Sequence, residues 1–292
     1  MPSLKDVKLQ ITGVGKTKQI TRAMGMVASA KLRGAQNRIE RFRPYAEKFH
    51  EILDDIAGRT QDASHPLLQA HAHPKTAVIV LVTSDRGLCG GFNANLVAAA
   101  LELARDRRDA GLEIRFVCVG KKGRDAVRKT SFEILRYYGD VMGSFGFPLA
   151  AGLGRTVSDL YERGEADEVH LVFSEFINVA RQKPRSMRLL PVAAMGGKAE
   201  EGAAKAEVLY EPRVDALLAE LLPRYVNVQI YRGLLDNVAS EHASRMASMD
   251  NATRNCDELI SSLTLLYNKT RQAAITNELI DIVGGANAQQ SQ

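Results

Sequence analysis

Two long segments, one at each end of the chain, place apolar or small residues at every third or fourth position. This spacing is typical of helices that pair along a heptad seam, and both segments exceed the three or four heptads that define a coiled coil. The predicted first seam runs through Leu4, Val7, Ile11, Val14, Lys18, Thr21, Gly25, Ala28, Leu32, Ala35, Ile39, Phe42, Ala46, Phe49, Leu53 and Ile56. The predicted second seam runs through Val228, Tyr231, Leu235, Val238, His242, Arg245, Met249, Ala252, Cys256, Leu259, Leu263, Leu266, Thr270, Ala273, Asn277 and Ile280.

Neither helix can bury its seam alone, so the sequence predicts that the two ends of the chain pair with each other. At 1.5 Å per residue each helix would reach roughly 80 Å, which favours a mechanical or scaffolding role over a reaction site. Pairing across an intervening compact domain favours an antiparallel arrangement. Pro44 is predicted to kink the first helix, whereas Pro223 lies at the entrance of the second, where it does less harm.

The interior of the chain alternates strand and helix patterns, which is typical of an α/β sheet. Ala77–Thr83 is a short apolar run rich in β-branched residues, as in a buried parallel strand. Further strands are predicted at 114–119, 132–138, 169–173 and 187–192, and helices at 94–107, from 121, and at 148–162. We therefore predict a Rossmann-like, mostly parallel α/β domain over 75–206, inserted between a coiled-coil helix over 1–60 and its partner helix over 207–292.

Composition excludes several classes of protein. The longest apolar runs of this 292-residue chain are far shorter than the ~20 residues of a membrane-spanning helix, and no apolar core follows the charged start. Three scattered cysteines do not form a disulfide framework, which indicates a reducing, cytoplasm-facing protein. The segment 1–46 contains ten Lys and Arg residues but only two acidic residues, Asp6 and Glu40. Such a segment is either a solvated face or one that prefers an acidic neighbour.

Additional apolar residues lie beside the predicted seams. They are Ile20, Met24 and Val27 in the first helix and Leu234, Met246, Ile260 and Ile275 in the second. Packing against several neighbours within the chain is one explanation. Few other elements could cover them, so we favour a second protein that surrounds the helical pair.

Three local motifs are candidates for binding sites. Gly13–Thr17 contains a Gly-Lys-Thr sequence but lacks the earlier glycine and the preceding strand of a phosphate-binding loop. The segment 85–93 follows a strand and opens a helix, where backbone amides can bind anions, but its glycines do not match the dinucleotide spacing. We interpret it as a structural turn formed by Asp85, Arg86, Gly87, Cys89, Gly90 and Gly91. His65, His71 and His73 could chelate a cation, but we expect their surroundings to offer no carboxylate or thiol ligand. No catalytic set, cofactor site or metal site is therefore predicted.

Three stretches in register resemble the gamma subunit of bacterial F-type ATP synthase. They are Thr83–Asn93, the stretch Ile20–Leu32 with Arg43–Tyr45, and Leu266–Ala286. The resemblance implies a non-catalytic central-stalk subunit that couples proton flow through the membrane ring to ATP synthesis or hydrolysis by rotation. It implies the alpha, beta, epsilon and delta subunits and the membrane c-ring as partners, with neither nucleic acid nor direct insertion into the membrane. It also implies a peripheral location on the cytoplasmic side of the bacterial inner membrane.

The same resemblance implies roles for individual residues. Contacts with the catalytic ring are implied for Met24, Arg245, Arg271, Gln272, Thr276 and Glu278, and a foot on the membrane ring for Tyr210 and Glu211. One departure is Val14–Thr17, where the family usually has a basic residue followed by Asn. Gly15 lowers the helix propensity there by about 1 kcal/mol.

Two other classes of function remain open from the residues. A nucleotide-binding α/β enzyme with a dimerising coiled coil would bind nucleotide as an isolated chain. A rod that binds nucleic acid would use the basic first helix, although aromatic residues for base stacking are sparse there.

Overall fold

Long helices stand at both ends of the chain in the computed structural model, which describes residues 3–58, 65–192 and 214–290. In chain order the elements are α1 (Leu4–Gly58), a short 3-10 helix (Pro66–Leu68), β1 (Thr76–Val82), α2 (Phe92–Asp109), β2 (Glu113–Val119), α3 (Lys121–Val127), β3 (Glu133–Tyr138), α4 (Phe147–Glu162), β4 (Glu168–Asn178), β5 (Arg181–Leu190) and α5 (Val214–Gln290). The chain divides into two compact units. Unit 1 comprises Met1–Ala28 with Arg245–Gln292, and unit 2 comprises Ser29–Ser244.

Unit 2 contains a five-stranded sheet in the order β3-β2-β1-β4-β5. Its first four strands are parallel and β5 is antiparallel to β4, so the predicted mostly parallel sheet is confirmed. From β1 the chain steps outward to β2 and β3, and α4 then carries it back to β4 on the other side of β1. Such a reversal of strand order marks the switch point at which α/β proteins bind ligands, beside the carboxyl end of β1.

The core of unit 2 follows from strand alternation. Ile79 and Leu81 of β1 and Phe116 of β2 point to one face, where they form a buried cluster with Leu96 and Ala100 of α2. All residues of β1 after Thr76 are buried, whichever face of the sheet they point to. Burial of both faces explains the continuous apolar run of this strand. The predicted bounds of β2 and β3 agree with the structure to within one residue, whereas β4 extends to Asn178, five residues past its predicted end.

The strand β5 differs from its prediction because it begins at Arg181 instead of residue 187. Its first half is basic and exposed, so no hydrophobic signal identifies it. As an edge strand it tolerates Pro184, because one side of its backbone needs no hydrogen-bonding partner.

The prolines of the long helices do not end them. The helix α1 continues through Pro44, and the kink predicted there stays a prediction. The helix α5 begins at Val214, so Pro223 lies within it and not at its entrance.

In unit 1 the two terminal helices pair in the predicted antiparallel sense. Thr21 and Thr253 share a hydrogen bond of 2.8 Å between their Oγ1 atoms, and Lys18 forms an ion pair with Asp257. A Cβ atom placed on Gly25 would lie 3.6 Å from the Cβ of Met249. Higher numbers on α1 therefore face lower numbers on α5, which defines antiparallel packing.

In unit 2 the second half of α1 packs antiparallel to the first half of α5. The Phe42 and Tyr231 rings meet edge to face at 4.8 Å, and His50 stacks on Tyr225 at 6.1 Å. In this unit α5 also contacts β4, because Asn237 Oδ1 accepts a hydrogen bond of 3.1 Å from the Ser174 N–H. The seam residues Leu32, Ala35, Ala46, Phe49, Leu53 and Ile56 are all buried, as the heptad pattern predicts.

Beyond Cys256 the predicted second seam is one residue out of step at Leu259, Leu266 and Ala273. Leu259 and Leu266 are 47% and 39% exposed, and Ala273, Asn277 and Ile280 are also exposed. The half-buried positions there are Ile260, Leu263, Tyr267, Thr270 and Ala274, so Leu263 and Thr270 were predicted correctly. The buried stripe of a straight helix drifts relative to a strict seven-residue repeat. Where two adjacent residues are both apolar, the sequence does not show whether the seam advances by three residues or by four.

Candidate functional site

Unit 1 carries an unusual amount of exposed apolar surface. Of the nineteen large hydrophobic side chains that are exposed among the described residues, twelve belong to this unit. They are Leu9, Ile20, Met26, Val27, Leu259, Leu265, Leu266, Ile275, Leu279, Ile280, Ile282 and Val283. A surface this apolar on a thin helical pair indicates contact with another protein.

The C-terminal part of α5 extends past the start of α1. Thr21 lies opposite Thr253, so the antiparallel register places Leu4 opposite roughly residue 270. Beyond that point α5 has no facing segment in the described part of α1, and residues 275–284 are all exposed. Glu278 and Asp281 are the charged residues of the stretch 273–288. We call residues 275–284 the apolar tip.

The structure places the implied ring-contact residues in two groups on unit 1. Arg271, Gln272, Thr276 and Glu278 are exposed and lie within about two turns of α5, beside the apolar tip. Thr276 Oγ1 donates a hydrogen bond to the Gln272 carbonyl at 2.9 Å. The second group is Met24 and Arg245, both half-buried, and Arg245 lies about 39 Å along α5 from Arg271. Tyr210 and Glu211 fall outside the described residues.

The glycine-rich turn after β1 occupies the switch point of the sheet. Its Asp85 carboxylate accepts three backbone N–H groups, from Lys121 at 3.0 Å, Asp140 at 3.1 Å and Met142 at 3.2 Å. The Asp85 carboxylate thus accepts the backbone N–H groups that an external anion would need. Its negative charge would also repel a phosphate. This geometry weighs against the nucleotide-binding interpretation.

The remaining contacts of the turn are structural. Ser84 Oγ donates to the Arg86 carbonyl at 2.5 Å, and Gly90 has a φ of 56°. Cys89 is 2% exposed, so its thiol is shielded from substrates. Its carbonyl accepts a 2.7 Å hydrogen bond from Ser244 Oγ of α5, which fastens the turn to the helix within unit 2. A Cβ atom added at Gly87 would lie 3.9 Å from the Lys122 side chain, and one added at Gly91 would lie 3.4 Å from the Asn95 side chain.

The histidine loop has a carboxylate neighbour that its local sequence does not reveal. His71 Nδ1 lies 2.6 Å from Oδ1 of Asp167, which is 96 residues away in the sequence. Burial raises the pKa of Asp167, but hydrogen bonds from the Lys75 N–H, His71 and the Thr76 N–H outweigh it, and the pKa lies below its ordinary value. The expectation that the surroundings of these histidines offer no carboxylate is therefore wrong for His71. Even so, the described residues contain no cluster of three or more His, Cys, Asp or Glu side chains that could hold a metal ion.

None of the helices in the described ranges is long and apolar enough to cross a membrane. The long exposed helical pair and the α/β unit together define a class of protein that works through contacts with other proteins.

Comparison with known proteins identifies the family. A family model described as ATP synthase matches residues 3–289. The ATP synthase gamma chain of Nitratidesulfovibrio vulgaris strain Hildenborough is 60% identical over 288 residues, which cover 99% of each chain. The gamma chain of Syntrophobacter fumaroxidans is 46% identical over 289 residues, again 99% of each. The chain therefore belongs to the ATP synthase gamma-chain family.

Solved structures agree with this assignment. A chain of the Tetrahymena thermophila mitochondrial ATP synthase central stalk and c-ring aligns with a TM-score of 0.61 and 28% identity, over 80% of this chain and 99% of that one. A chain of the Euglena gracilis mitochondrial ATP synthase aligns with a TM-score of 0.72 over 99% and 95% of the two chains. At 21% identity, the second likeness shows the fold alone.

Proposed function

We propose that this chain is the central-stalk subunit of a bacterial F-type ATP synthase. In this role it couples proton flow through a membrane ring to ATP synthesis and hydrolysis in other subunits, and performs no phosphoryl transfer itself. The observation that carries the proposal is the exposed apolar surface of unit 1, which culminates in an α5 tip that no described part of α1 faces.

The proposed mechanism depends on the asymmetry of the helical pair. Its apolar residues, its basic residues and its projecting tip are not repeated with threefold symmetry, so a surrounding ring of three equivalent sites meets three different surfaces. Each surface stabilises a different conformation of its neighbour, and rotation shifts the populations that bind, form and release ATP. The basic segment 1–46 is suited to acidic loops of the ring.

The proposal assigns partners to separate parts of the chain. Segments 1–60 and 207–292 form the shaft inside a ring of alpha and beta subunits, while 75–206 forms the α/β domain beside epsilon and the membrane c-ring. Delta belongs to the same complex. Tyr210 and Glu211 rest on the c-ring, which places the chain peripherally on the cytoplasmic side of the inner membrane. The Tetrahymena relative supports this assignment, because its structure is described as a central stalk with a c-ring.

Co-purification tests the proposal. A tagged full-length chain is expressed in its native bacterium in place of the untagged chain, and detergent-solubilised membranes are passed over an affinity column. We expect alpha, beta, epsilon and c subunits to be recovered together with the tagged chain. A variant with Leu279→Asp and Ile282→Asp should recover at least threefold less alpha and beta, because two charges would have to be desolvated at the ring contact.

The matched control for this experiment is Ser261→Asp, which adds a charge at an exposed polar position of the same helix. Its recovery of alpha and beta should equal that of the unmodified chain. Recovery of the tagged chain without alpha and beta subunits would contradict the proposed function.

A further inference from the structure

A cavity of about 260 Å³ lies within unit 2, between α1, the end of β4 and α5. Ile39 and Phe42 of α1 and Leu235 of α5 form part of its apolar wall. Asp236, the next residue of α5, also lines it. The cavity therefore combines a hydrocarbon surface with a carboxylate, and neither feature is used by the coupling function.

The Asp236 carboxylate lacks the partners that buried carboxylates ordinarily have. The residue is only 9% exposed, and its side chain makes no hydrogen bond or ion pair within 4.0 Å with any other residue that the structure describes. Its oxygens are not among the fully buried, unpartnered atoms, so they keep contact with the solvent-filled space of the cavity. Enclosing a carboxylate in a largely apolar cavity without a donor is costly, and a donor supplied from outside the chain would remove that cost. The missing partner is a hydrogen-bond donor, and preferably a cationic one.

None of the other charged groups that the structure describes around the cavity forms an ion pair with Asp236 within 4.0 Å. Arg43 and Glu47 approach from α1 and Arg232 from α5, while Glu175 of β4 is already paired with Arg185 of β5. Burial raises the pKa of Asp236 to about 6, against the opposing effect of Arg232, Arg43 and Arg185, while Glu175 adds to the rise. The carboxylate is therefore mostly ionised at pH 7.5 and mostly protonated at pH 5.

We propose that this cavity binds an alkylammonium or alkylguanidinium group, with its charge against Asp236 and its methylene carbons against Ile39, Phe42 and Leu235. The volume suits the end of one such chain, and the apolar wall is what a methylene stem requires. Two sources supply this chemistry, a free organic amine or the Lys or Arg side chain of a partner subunit. The inference goes beyond energy coupling and does not depend on it.

The first test measures binding of n-butylammonium to the purified full-length chain by NMR chemical-shift titration. At pH 7.5 we expect saturable binding in the millimolar range, which is appropriate for a ligand of about five heavy atoms. Binding should weaken about tenfold at pH 5, and at least tenfold for uncharged n-butanol and for Asp236→Asn. The matched control Asp159→Asn, which changes an exposed carboxylate of α4 in the same unit, should bind as the unmodified chain does. Absence of saturable binding, or equal affinity in Asp236→Asn, would overturn the proposal.

The second test distinguishes an unpaired carboxylate from one that Arg43 or Arg232 neutralises. Because the pKa of Asp236 in the folded chain is above its ordinary value, the folded state binds the proton more tightly and its stability falls as pH rises through about 6. Asp236→Asn should therefore raise the melting temperature at pH 8 and have little effect near pH 4. A lower melting temperature at pH 8 would show that an arginine of the chain already pairs with Asp236, and would overturn the proposal.

The third measurement identifies the source of the ligand once binding to the isolated chain is established. The n-butylammonium titration is repeated on the assembled complex. Retained binding identifies a free amine as the natural ligand, whereas binding that is lost on assembly and restored by dissociating the complex identifies a partner side chain. Binding to the isolated chain is measured without any assay of ATP synthesis. A failure to bind would therefore leave the coupling proposal intact.

Discussion

Replacing Gly120 by alanine should cost about 4 kcal/mol or more of the free energy of unfolding of unit 2. Gly120 follows β2 with a φ of 92°, a region that L-residues rarely adopt. A Cβ atom there would lie 2.4 Å from the Thr83 carbonyl oxygen and 2.8 Å from its carbon, so the clash is with backbone and not with a flexible side chain. Thr83 is itself fixed, because its N–H donates to the Val119 carbonyl at 2.8 Å. Chemical denaturation followed by circular dichroism measures the loss.

Gly111→Ala is a matched control for this prediction. Gly111 has nearly the same φ of 90°, but no atom lies within 4 Å of an added Cβ. Only the backbone strain is then changed, and we expect a loss of about 1–2 kcal/mol. Equal losses in the two variants would show that the close approach between Gly120 and Thr83 does not stabilise the fold.

Charge reversal at Arg271 should lower both ATP synthesis and ATP hydrolysis by the assembled complex at least tenfold. Arg271 is exposed on α5 where the apolar tip begins, and in the proposed function it binds an acceptor on the catalytic ring. A glutamate there would replace attraction by repulsion at a contact that is made and broken during rotation. Rates of both reactions in reconstituted vesicles, normalised to the amount of assembled complex, provide the measurement.

Lys269→Glu is the control for Arg271→Glu. Lys269 is also basic and exposed on α5. Because it lies two residues before Arg271 in the helix, its side chain points to a different side. It should retain at least half of both activities. Unchanged rates in both directions for Arg271→Glu would refute the role of this residue.

The sequence predicted most of the fold because its periodic signals were long. Buried strands such as β1 are apolar throughout, and the first seam places Leu32 and Ile56 correctly because small or polar residues flank them. Beyond Cys256 the second seam was wrong at alternate positions, where Leu259 and Ile260 are both apolar candidates for one position, as are Leu266 and Tyr267. Which of the two residues is buried depends on the position of the partner helix. The pattern within one helix carries no information about that position.

The candidate site was predictable only in part, and for a related reason. The positions of Arg271, Gln272 and Thr276 came from motif resemblance, and the structure adds that they lie beside an exposed apolar tip. Asp236 was missed because it sits in a helix that otherwise shows ordinary heptad spacing, and nothing local distinguishes a buried aspartate from an exposed one. Asp167 was missed as a neighbour of His71 because the two residues are distant in the sequence. Contacts of this kind arise from topology and leave no local signal.

The central claim is that the two ends of the chain form one antiparallel body that remains paired while the complex works. It is tested most directly by a disulfide between Thr21→Cys and Thr253→Cys, in a background in which Cys256 is replaced by serine. The native Oγ1 atoms are 2.8 Å apart, so sulfur atoms at these positions can bond with little adjustment. We predict that the bond forms on oxidation and that the complex keeps at least half of its rates of ATP synthesis and hydrolysis. Failure of the bond to form, or loss of both activities that reductant restores, would contradict the account.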